Sequence, residues 1–158
     1  MTEQVFRSAT PGEIARNWDE FTGGSPIIGI FGEYRPPDVQ SLILEDADRG
    51  CRALITWWVD GERAEIVSIH AEPTGSGAGT RIMDAAEQVL RDAGVTRLVL
   101  ATTNDNVRAL TFYLRRGYRL VRVHLNAMDR VRESKPSVPA VGQDGLPLQD
   151  MWEVEKSL

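Results

Sequence analysis

A change of hydrophobic period near the middle of the chain constrains the fold more than any other feature of this sequence. Residues 64–71 (AEIVSIHA) are typical of a strand, and residues 72–79 are rich in turn formers. From Thr80 the apolar residues recur at the spacing of an amphipathic helix, which Gly94 ends as a C-cap. Residues 97–101 (RLVLA) then form a second strand. This order predicts two parallel strands joined by a right-handed crossover.

The turn of this unit is the glycine-rich segment of residues 75–80 (GSGAGT). Glycines at alternate positions let backbone N–H groups converge, and the helix that follows adds unpaired N–H groups and the positive end of its dipole. The segment is therefore predicted to bind a phosphate or diphosphate, with Arg81 close enough to add a side-chain contact. A Walker-type loop is disfavoured because no Gly-Lys-Ser/Thr sequence follows, and the spacing G-x-G-x-G disfavours a dinucleotide-binding fold.

The rest of the chain alternates helices and strands. Residues 10–13 (TPGE) have the pattern of a capping box with proline at the first helical position, and Ile14, Trp18 and Phe21 predict one apolar stripe. Residues 136–148 are predicted to form a packed loop with four apolar anchors. Further strands are predicted over residues 27–31, 40–44, 51–59, 118–125 and 152–155, and further helices over 106–117 and 127–135. The fold class is therefore mixed, α/β or α+β.

Composition excludes several classes of protein. A length of 158 residues suits one domain over residues 1–158. With 18 Lys+Arg against 23 Asp+Glu the net charge is −5, so no nucleic acid is expected as a partner and any phosphate must be held by a local device. One cysteine, Cys51, allows no intrachain disulfide, and no metal site is expected because the sequence has no Cys/His cluster. Residues 1–9 lack the apolar run of a signal peptide and no apolar stretch is long enough to cross a membrane, so a cytoplasmic protein is expected.

A second motif in residues 106–118 (NVRALTFYLRRGY) makes the glycine-rich segment more specific. Together the two motifs resemble the GNAT superfamily of acetyl-CoA-dependent N-acetyltransferases. In that family an R/Q-x-x-G-x-G/A turn and helix follow a strand, and a second strand leads to an N-x-x-A-x-x-F/L-Y-x-x-x-G-F/Y helix. Thr74 stands where the family usually has Arg or Gln, and the segment before the glycines is shorter. The matching residues are Gly77 and Gly79 in the turn and Asn106, Ala109, Phe112, Tyr113, Gly117 and Tyr118 in the helix.

The resemblance covers about residues 64–125 and implies both a fold and a cosubstrate. The fold is a mixed, mostly antiparallel sheet flanked by helices, with a central parallel strand pair that splays apart where the turn begins. Acetyl-CoA would be the cosubstrate, with its pantetheine in this opening and its diphosphate on the turn. Asn106 would contact the pantetheine or serve only as a helix N-cap. The cofactor-binding residues implied are Ile69, His70, Ala71, Gly75, Ser76, Gly77, Ala78, Gly79, Thr80, Arg81 and Asn106, with Arg115 and Arg116 nearby.

Two residues are candidates for the chemistry of amine acetylation, which requires a neutral amine and a proton for the departing thiolate. Tyr113 matches the family position of the acid; its alternative role is that of a core tyrosine. Glu65 is the candidate base, directly or through a water, because its strand resembles that of histone-acetylating members. Apolar neighbours would raise its pKa, although a glutamate at an exposed edge is the alternative. His70 is a rival base that projects to the opposite face unless a bulge changes the parity.

The sequence does not define the acceptor. The expected reaction transfers an acetyl group to a primary amine, carried by a small molecule, a lysine or an N-terminus. The alternatives are a non-catalytic acyl-CoA-binding or regulatory module on the same fold and, less favoured, a nucleotide-binding module. A homodimer is left open, and no membrane partner is expected. The residues that could line an acceptor pocket are Phe31, Glu33, Tyr34, Trp57, Trp58, Met151 and Trp152.

Overall fold

A seven-stranded sheet organises the chain in the computed structural model, which describes residues 4–158. Residues 1–3 lie outside that range. They belong to the segment of residues 1–9, for which no signal peptide is predicted. In chain order, the elements are β1 (Val5–Arg7), α1 (Pro11–Thr22), β2 (Ile27–Ile28), β3 (Glu33–Tyr34), β4 (Gln40–Asp46), β5 (Cys51–Asp60), β6 (Arg63–Glu72), α2 (Ala78–Asp92), β7 (Arg97–Thr103), α3 (Val107–Arg115), β8 (Arg119–His124), α4 (Ala127–Ser134) and β9 (Met151–Ser157). The sheet has the order β1-β4-β5-β6-β7-β9-β8, and β2 and β3 form a separate hairpin.

The centre of the sheet contains its parallel strand pair. β6 and β7 pair only from Arg63 to Ile66 and from Arg97 to Leu100, while the other pairs within the sheet are antiparallel. Beyond Ile66 and Leu100 the two strands separate, so their facing edges carry no mutual hydrogen bonds. The predicted fold class is confirmed. The strands separate well before the glycine-rich segment, which makes the opening longer than the sequence suggested.

Two hydrophobic clusters pack against opposite faces of the sheet. α2 and α3 cover one face, where Trp57 and Ile66 belong to the main core with Ile82. α1 covers the other face, where Ile14 and Trp18 pack in a smaller cluster that also includes Trp58. The two adjacent tryptophans of β5 therefore lie on opposite sides, as strand alternation requires.

The first helix begins as predicted and ends differently. Thr10 and Glu13 form the reciprocal capping box, and Ile14 and Trp18 are buried. Phe21, predicted to complete the stripe, is 64 % exposed, while Thr22 is buried in its place. Phe21 falls in the last turn of the helix and lines a cavity instead of the core.

A bulge in β6 changes which side chains share a face. Trp57 pairs with Ile66 and Thr56 pairs with Ser68, so Val67 is the extra residue. Because of it, Glu65 and His70 point to the same face of the sheet. The bulge that was left open as an exception is therefore present, and the opposite faces expected of a regular strand do not apply.

The segment of residues 136–148 is a packed loop, as predicted, but fewer of its apolar residues anchor it than expected. Leu148 is buried, whereas Val141 is 57 % exposed. Polar contacts supply the remaining anchorage: the carboxylate of Asp105 accepts the backbone N–H of Gln143, and Arg132 donates to three loop carbonyl oxygens. Within residues 4–158, no helix is long and apolar enough to span a membrane.

Candidate active site

A cavity of about 400 Å³ lies where the two parallel strands separate. Its walls come from both faces of the sheet, because α3 contributes from one face and the segment between α1 and β3 contributes from the other. The lining residues are Phe21, Ile27, Ile28, Gly29, Glu65, Ile66, Val67, Ser68, Ile69, Leu100, Ala101, Thr102, Thr103, Asn106, Ala109, Tyr113 and Met151. Both candidate catalytic residues, Glu65 and Tyr113, are thus placed in one cavity.

Glu65 is held by three hydrogen bonds although it is only 1 % exposed. Its carboxylate accepts the backbone N–H of Ile30 at 2.6 Å and that of Phe31 at 3.1 Å. It also accepts the hydroxyl of Tyr34 at 2.7 Å. An ionised carboxylate offers about four acceptor positions, so one remains for a further donor in the cavity.

Gly29 makes this arrangement possible. A Cβ atom on Gly29 would lie 2.3 Å from Oε1 of Glu65 and 2.7 Å from Cε2 of Tyr34, closer than any real contact. The chain therefore passes directly over the carboxylate, and β2 ends at Ile28 instead of Phe31 because the next N–H groups turn towards it. This role was not predicted from the sequence, where its one signal is a glycine inside a predicted strand, which indicates a close approach of another group.

Opposing influences act on the pKa of Glu65. Burial raises it above the ordinary value, and this is the largest cause. The bonds from Ile30, Tyr34 and Phe31 lower it, and the negative charge of Glu153 raises it further. On balance the pKa of Glu65 is raised, which suits a group that accepts a proton near neutral pH.

Tyr113 faces the cavity from α3. It is 6 % exposed, and burial raises its pKa to about 12, so the phenol is protonated at neutral pH. Its ring packs edge-on against Phe112 and Tyr118, with centroids at 5.3 Å and 5.7 Å. Among the described residues, its hydroxyl has no hydrogen-bond partner, which leaves the proton available for a bound molecule.

The glycine-rich segment presents backbone N–H groups at the start of α2. Gly75 and Gly77 have φ values of 81° and 80°, a region that favours glycine. The first internal bond of the helix runs from the N–H of Arg81 to the carbonyl of Gly77, so the N–H groups of Gly79 and Thr80 have no acceptor within the helix. These orphan donors fit an anion such as a diphosphate.

The side chain of Arg81 is not at this turn. Its guanidinium donates to Asp46 at 2.7 Å and to the sulfur of Cys51 at 2.9 Å, so the phosphate contact predicted for it finds no support. Arg116 is likewise engaged by Asp84 and Glu87. Arg116 nevertheless lies beside the turn, because it also donates to the carbonyl oxygen of Thr80 at 3.5 Å. It lines an open groove of about 490 Å³ together with Arg108 and Arg115. Arg108 was not among the residues that the sequence indicated.

The other cofactor residues lie along the open edge of β6 and at the start of α3. Ile69 lines the cavity, and His70 and Ala71 continue the edge towards the turn without a partner on β7. The carbonyl oxygen of the Asn106 side chain accepts the N–H of Ala109 at 3.2 Å, and Asn106 also lines the cavity. Its two predicted roles are therefore compatible.

His70 is not brought to Tyr113 in spite of the bulge. Its Nε2 lies 2.7 Å from Oε1 of Glu72, and the ring borders a small polar cavity beneath α1. Only Glu65 of the two candidate bases lines the cavity that contains Tyr113. The placement of His70 therefore does not favour it as the base.

The proposed acceptor residues are divided by the fold. Met151 lines the cavity, while the backbone of Phe31 and the hydroxyl of Tyr34 bind Glu65. Trp58 packs against both aromatic rings, with centroids at 5.7 Å and 5.9 Å. Trp57 and Trp152 point to the other face, and Glu33 is exposed.

A parallel strand pair that opens above a glycine-rich helix start, with a buried carboxylate and a phenol in the opening, defines an acyltransferase type of site. The sequence model of the acetyltransferase (GNAT) family matches residues 23–118. The uncharacterized protein YxbD of Bacillus subtilis is 33% identical over 99% of this chain and 96% of its own length. The chain belongs to the GNAT acetyltransferase family, which confirms the resemblance seen in its motifs.

Solved structures show the same fold at low sequence identity. An IAA acetyltransferase from Bacillus cereus superposes with a TM-score of 0.75 at 14% identity, covering 99% of this chain and 100% of that one. A GNAT family acetyltransferase from Elizabethkingia anophelis with acetyl-CoA bound gives a TM-score of 0.75 at 14% identity, covering 100% of both chains. The likeness extends over the first 50 and last 30 or so residues, where the motifs gave no information.

Proposed function

We propose that this protein transfers an acetyl group from acetyl-CoA to a primary amine, with Glu65 as the base and Tyr113 as the acid. The observation that carries the proposal is that both side chains line one cavity at the separation of β6 and β7. Membership of the acetyltransferase family makes acetyl-CoA the cosubstrate, and it supplies the acetyl group as a thioester.

The cosubstrate would be held mainly by backbone. The unpaired edge of β6, from Val67 to Ala71, offers hydrogen-bonding groups to an extended chain such as pantetheine. The N–H groups of Gly79 and Thr80, with the residues from Gly75 to Ala78, would receive the diphosphate. This explains how a chain with a net charge of −5 binds a polyanion.

Glu65 would take the proton of the incoming ammonium group on the carboxylate position that its three donors leave free. The three bonds fix the carboxylate, so the proton is accepted in one orientation, directly or through a water. Burial raises the pKa of Glu65, which makes the carboxylate a better proton acceptor than an exposed one.

Tyr113 would give its proton to the sulfur that leaves. A thiol has an ordinary pKa of about 8.5, below that of a phenol, so proton donation assists its departure without being indispensable. The raised pKa of Tyr113 keeps the proton in place until the sulfur carries charge.

The test is a comparison of turnover with cosubstrate affinity in Tyr113→Phe and Glu65→Gln. Thiol release from acetyl-CoA is measured over a panel of amines, and acetyl-CoA binding is measured by calorimetry. A positioned acid or base contributes roughly 10²–10⁴-fold, so kcat should fall within that range while the Kd of acetyl-CoA changes little. Unchanged turnover in both variants would remove the assignment.

The second candidate function is a non-catalytic acyl-CoA-binding module. One observation favours it: the three hydrogen bonds of Glu65 to the β2–β3 segment are a structural role sufficient to explain its burial. Acetyl-CoA binding without thiol release on any amine in the panel would establish this alternative.

A further inference from the structure

The acceptor side of the cavity has an apolar lining with a single carboxylate, and from this lining we infer the chemical class of the acceptor. We propose that the acceptor is a primary amine with one positive charge on an apolar body, and not a polyamine or an aminoglycoside. This inference rests on the acetyl transfer proposed above and adds the specificity of the same cavity.

The acceptor side is lined by large apolar side chains. Phe21 comes from the end of α1, Ile27 and Ile28 form β2, and Met151 begins β9. Ile27, Ile28 and Met151 are half-buried and Phe21 is exposed, so each keeps apolar surface in reach of a bound molecule. Covering that surface with an apolar group is favourable in proportion to the area removed from water.

Among residues 4–158, a single carboxylate lines this space. Of the residues that line the cavity, Glu65 alone is charged. Glu153 is the neighbouring carboxylate that raises the pKa of Glu65, but it does not line the cavity, and its Oε1 lies 3.0 Å from Nε2 of His124. A second ammonium group on the acceptor would therefore be buried without a partner, which is costly.

Two cations close to the acceptor side would also repel a polycation. Arg130 borders a small cavity that shares Ile28 and Met151 with the main one, and within residues 4–158 it has no ion-pair partner. Lys135 donates from Nζ to the carbonyl of Thr22 at 2.8 Å, next to Phe21. Glu33 pairs with Ile28 across the β2–β3 hairpin, but it is exposed and does not line the cavity.

The deciding experiment compares three small amines with the unmodified protein: butylamine, hexylamine and 1,6-diaminohexane. Each buried methylene contributes about 0.8 kcal/mol, or roughly fourfold, so kcat/KM for hexylamine should exceed that for butylamine by on the order of tenfold. The diamine has the same length and two equivalent amines, yet its kcat/KM should be lower than that of hexylamine by tenfold or more, on the order expected for an unpaired buried charge.

Two tetrapeptides distinguish the possible sources of this chemistry, one with leucine and one with serine at the N-terminus. If kcat/KM is higher for the leucine peptide than for the serine peptide and hexylamine, the acceptor is the end of a polypeptide. If kcat/KM is higher for hexylamine than for both peptides, the acceptor is a small molecule. Either result supports an apolar amine.

A substitution should convert the specificity. Met151→Glu adds a second carboxylate to the lining of the cavity. It should raise the ratio of kcat/KM for diaminohexane to kcat/KM for hexylamine by on the order of tenfold. Leu125→Glu is the matched control, because Leu125 is 74 % exposed and does not line the cavity, and it should leave the ratio unchanged. Thermal unfolding of both variants checks that they fold.

The outcomes that overturn the inference are separate from those that overturn the function. Equal or faster acetylation of the diamine by the unmodified protein, or no gain from butylamine to hexylamine, overturns the apolar acceptor while acetyl transfer stands. These comparisons need no variant, so a misfolded Met151→Glu leaves them decisive. Transfer to no amine at all overturns both proposals.

Discussion

The two ends of the proposed site, the glycine-rich turn and the acceptor side of the cavity, are built by different means. At the cofactor end, glycines and a helix start present backbone N–H groups, and the nearest predicted side chain, Arg81, is committed elsewhere. At the acceptor end, the buried side chain of Glu65 organises the chain over it through Ile30, Phe31 and Tyr34. The backbone end depends on the conformation of its glycines, whereas the acceptor end depends on the contacts of one side chain.

The largest effect that separates the two ends should come from Gly29→Ala. The added methyl group would collide with the Glu65 carboxylate and the ring of Tyr34, so the β2–β3 segment must move. Misplacement of a reacting group by about 1 Å costs on the order of 10²-fold, and kcat/KM for the amine should fall by that order while acetyl-CoA affinity is kept. Steady-state kinetics and calorimetry measure the two quantities.

Gly32→Ala is the matched control for this substitution. Gly32 lies in the same segment and has no positive φ, and a methyl group added to it would meet no heavy atom within 4 Å. Its kinetics should resemble those of the unmodified protein. An equal loss in both variants would show that the segment tolerates no change, and the specific contact with Glu65 would lose its support.

A smaller effect, confined to the cofactor end, is expected from Gly77→Ala. The φ of 80° places an alanine in a strained conformation that costs about 1–3 kcal/mol, and a shifted turn should raise the Kd of acetyl-CoA. Gly145→Ala has the same kind of backbone, with a φ of 73°, at a residue that does not line the cavity, and should lower stability without changing the Kd. If Gly77→Ala binds acetyl-CoA normally, the backbone account of that end fails.

The smallest effect should be a shift in pH dependence in Tyr34→Phe. The hydroxyl of Tyr34 stabilises the charged form of Glu65, so its loss raises the pKa of Glu65 further. Since the ionised carboxylate is the base, the acidic limb of kcat/KM should move to higher pH, and activity at high pH should be recovered. Tyr118→Phe loses a comparable bond to Glu87, outside the cavity, and should leave the limb in place.

The backbone conformation of the proposed cofactor end could be predicted from the sequence because its determinants are contiguous. The glycines from Gly75 to Gly79 and the start of the helix lie within a few residues of one another, and Asn106 caps the short helix that carries Tyr113. Local backbone preferences therefore carry the information. The strand pair followed from the order of the elements alone.

The acceptor end could not be predicted in the same way because it depends on distant contacts. Gly29 meets Glu65 across a long stretch of chain, and the bulge at Val67 depends on pairing with β5. Phe21 was assigned to the core because its spacing fits a buried stripe, but the stripe ends one turn earlier. Arg81 was assigned to the phosphate because the partner that holds it, Asp46, lies 35 residues away in sequence.

The role of Glu65 as the base is decided by the pH profile of kcat/KM in Glu65→Gln. In the unmodified protein, the acidic limb of the kcat/KM profile is expected to reflect the ionisation of Glu65. That limb should therefore lie at the same pH for two acceptors whose amines differ in pKa. Removing the carboxylate should abolish that limb and lower kcat/KM by roughly 10²–10⁴-fold above it. A limb that persists unchanged in Glu65→Gln would contradict the assignment of Glu65 as the base.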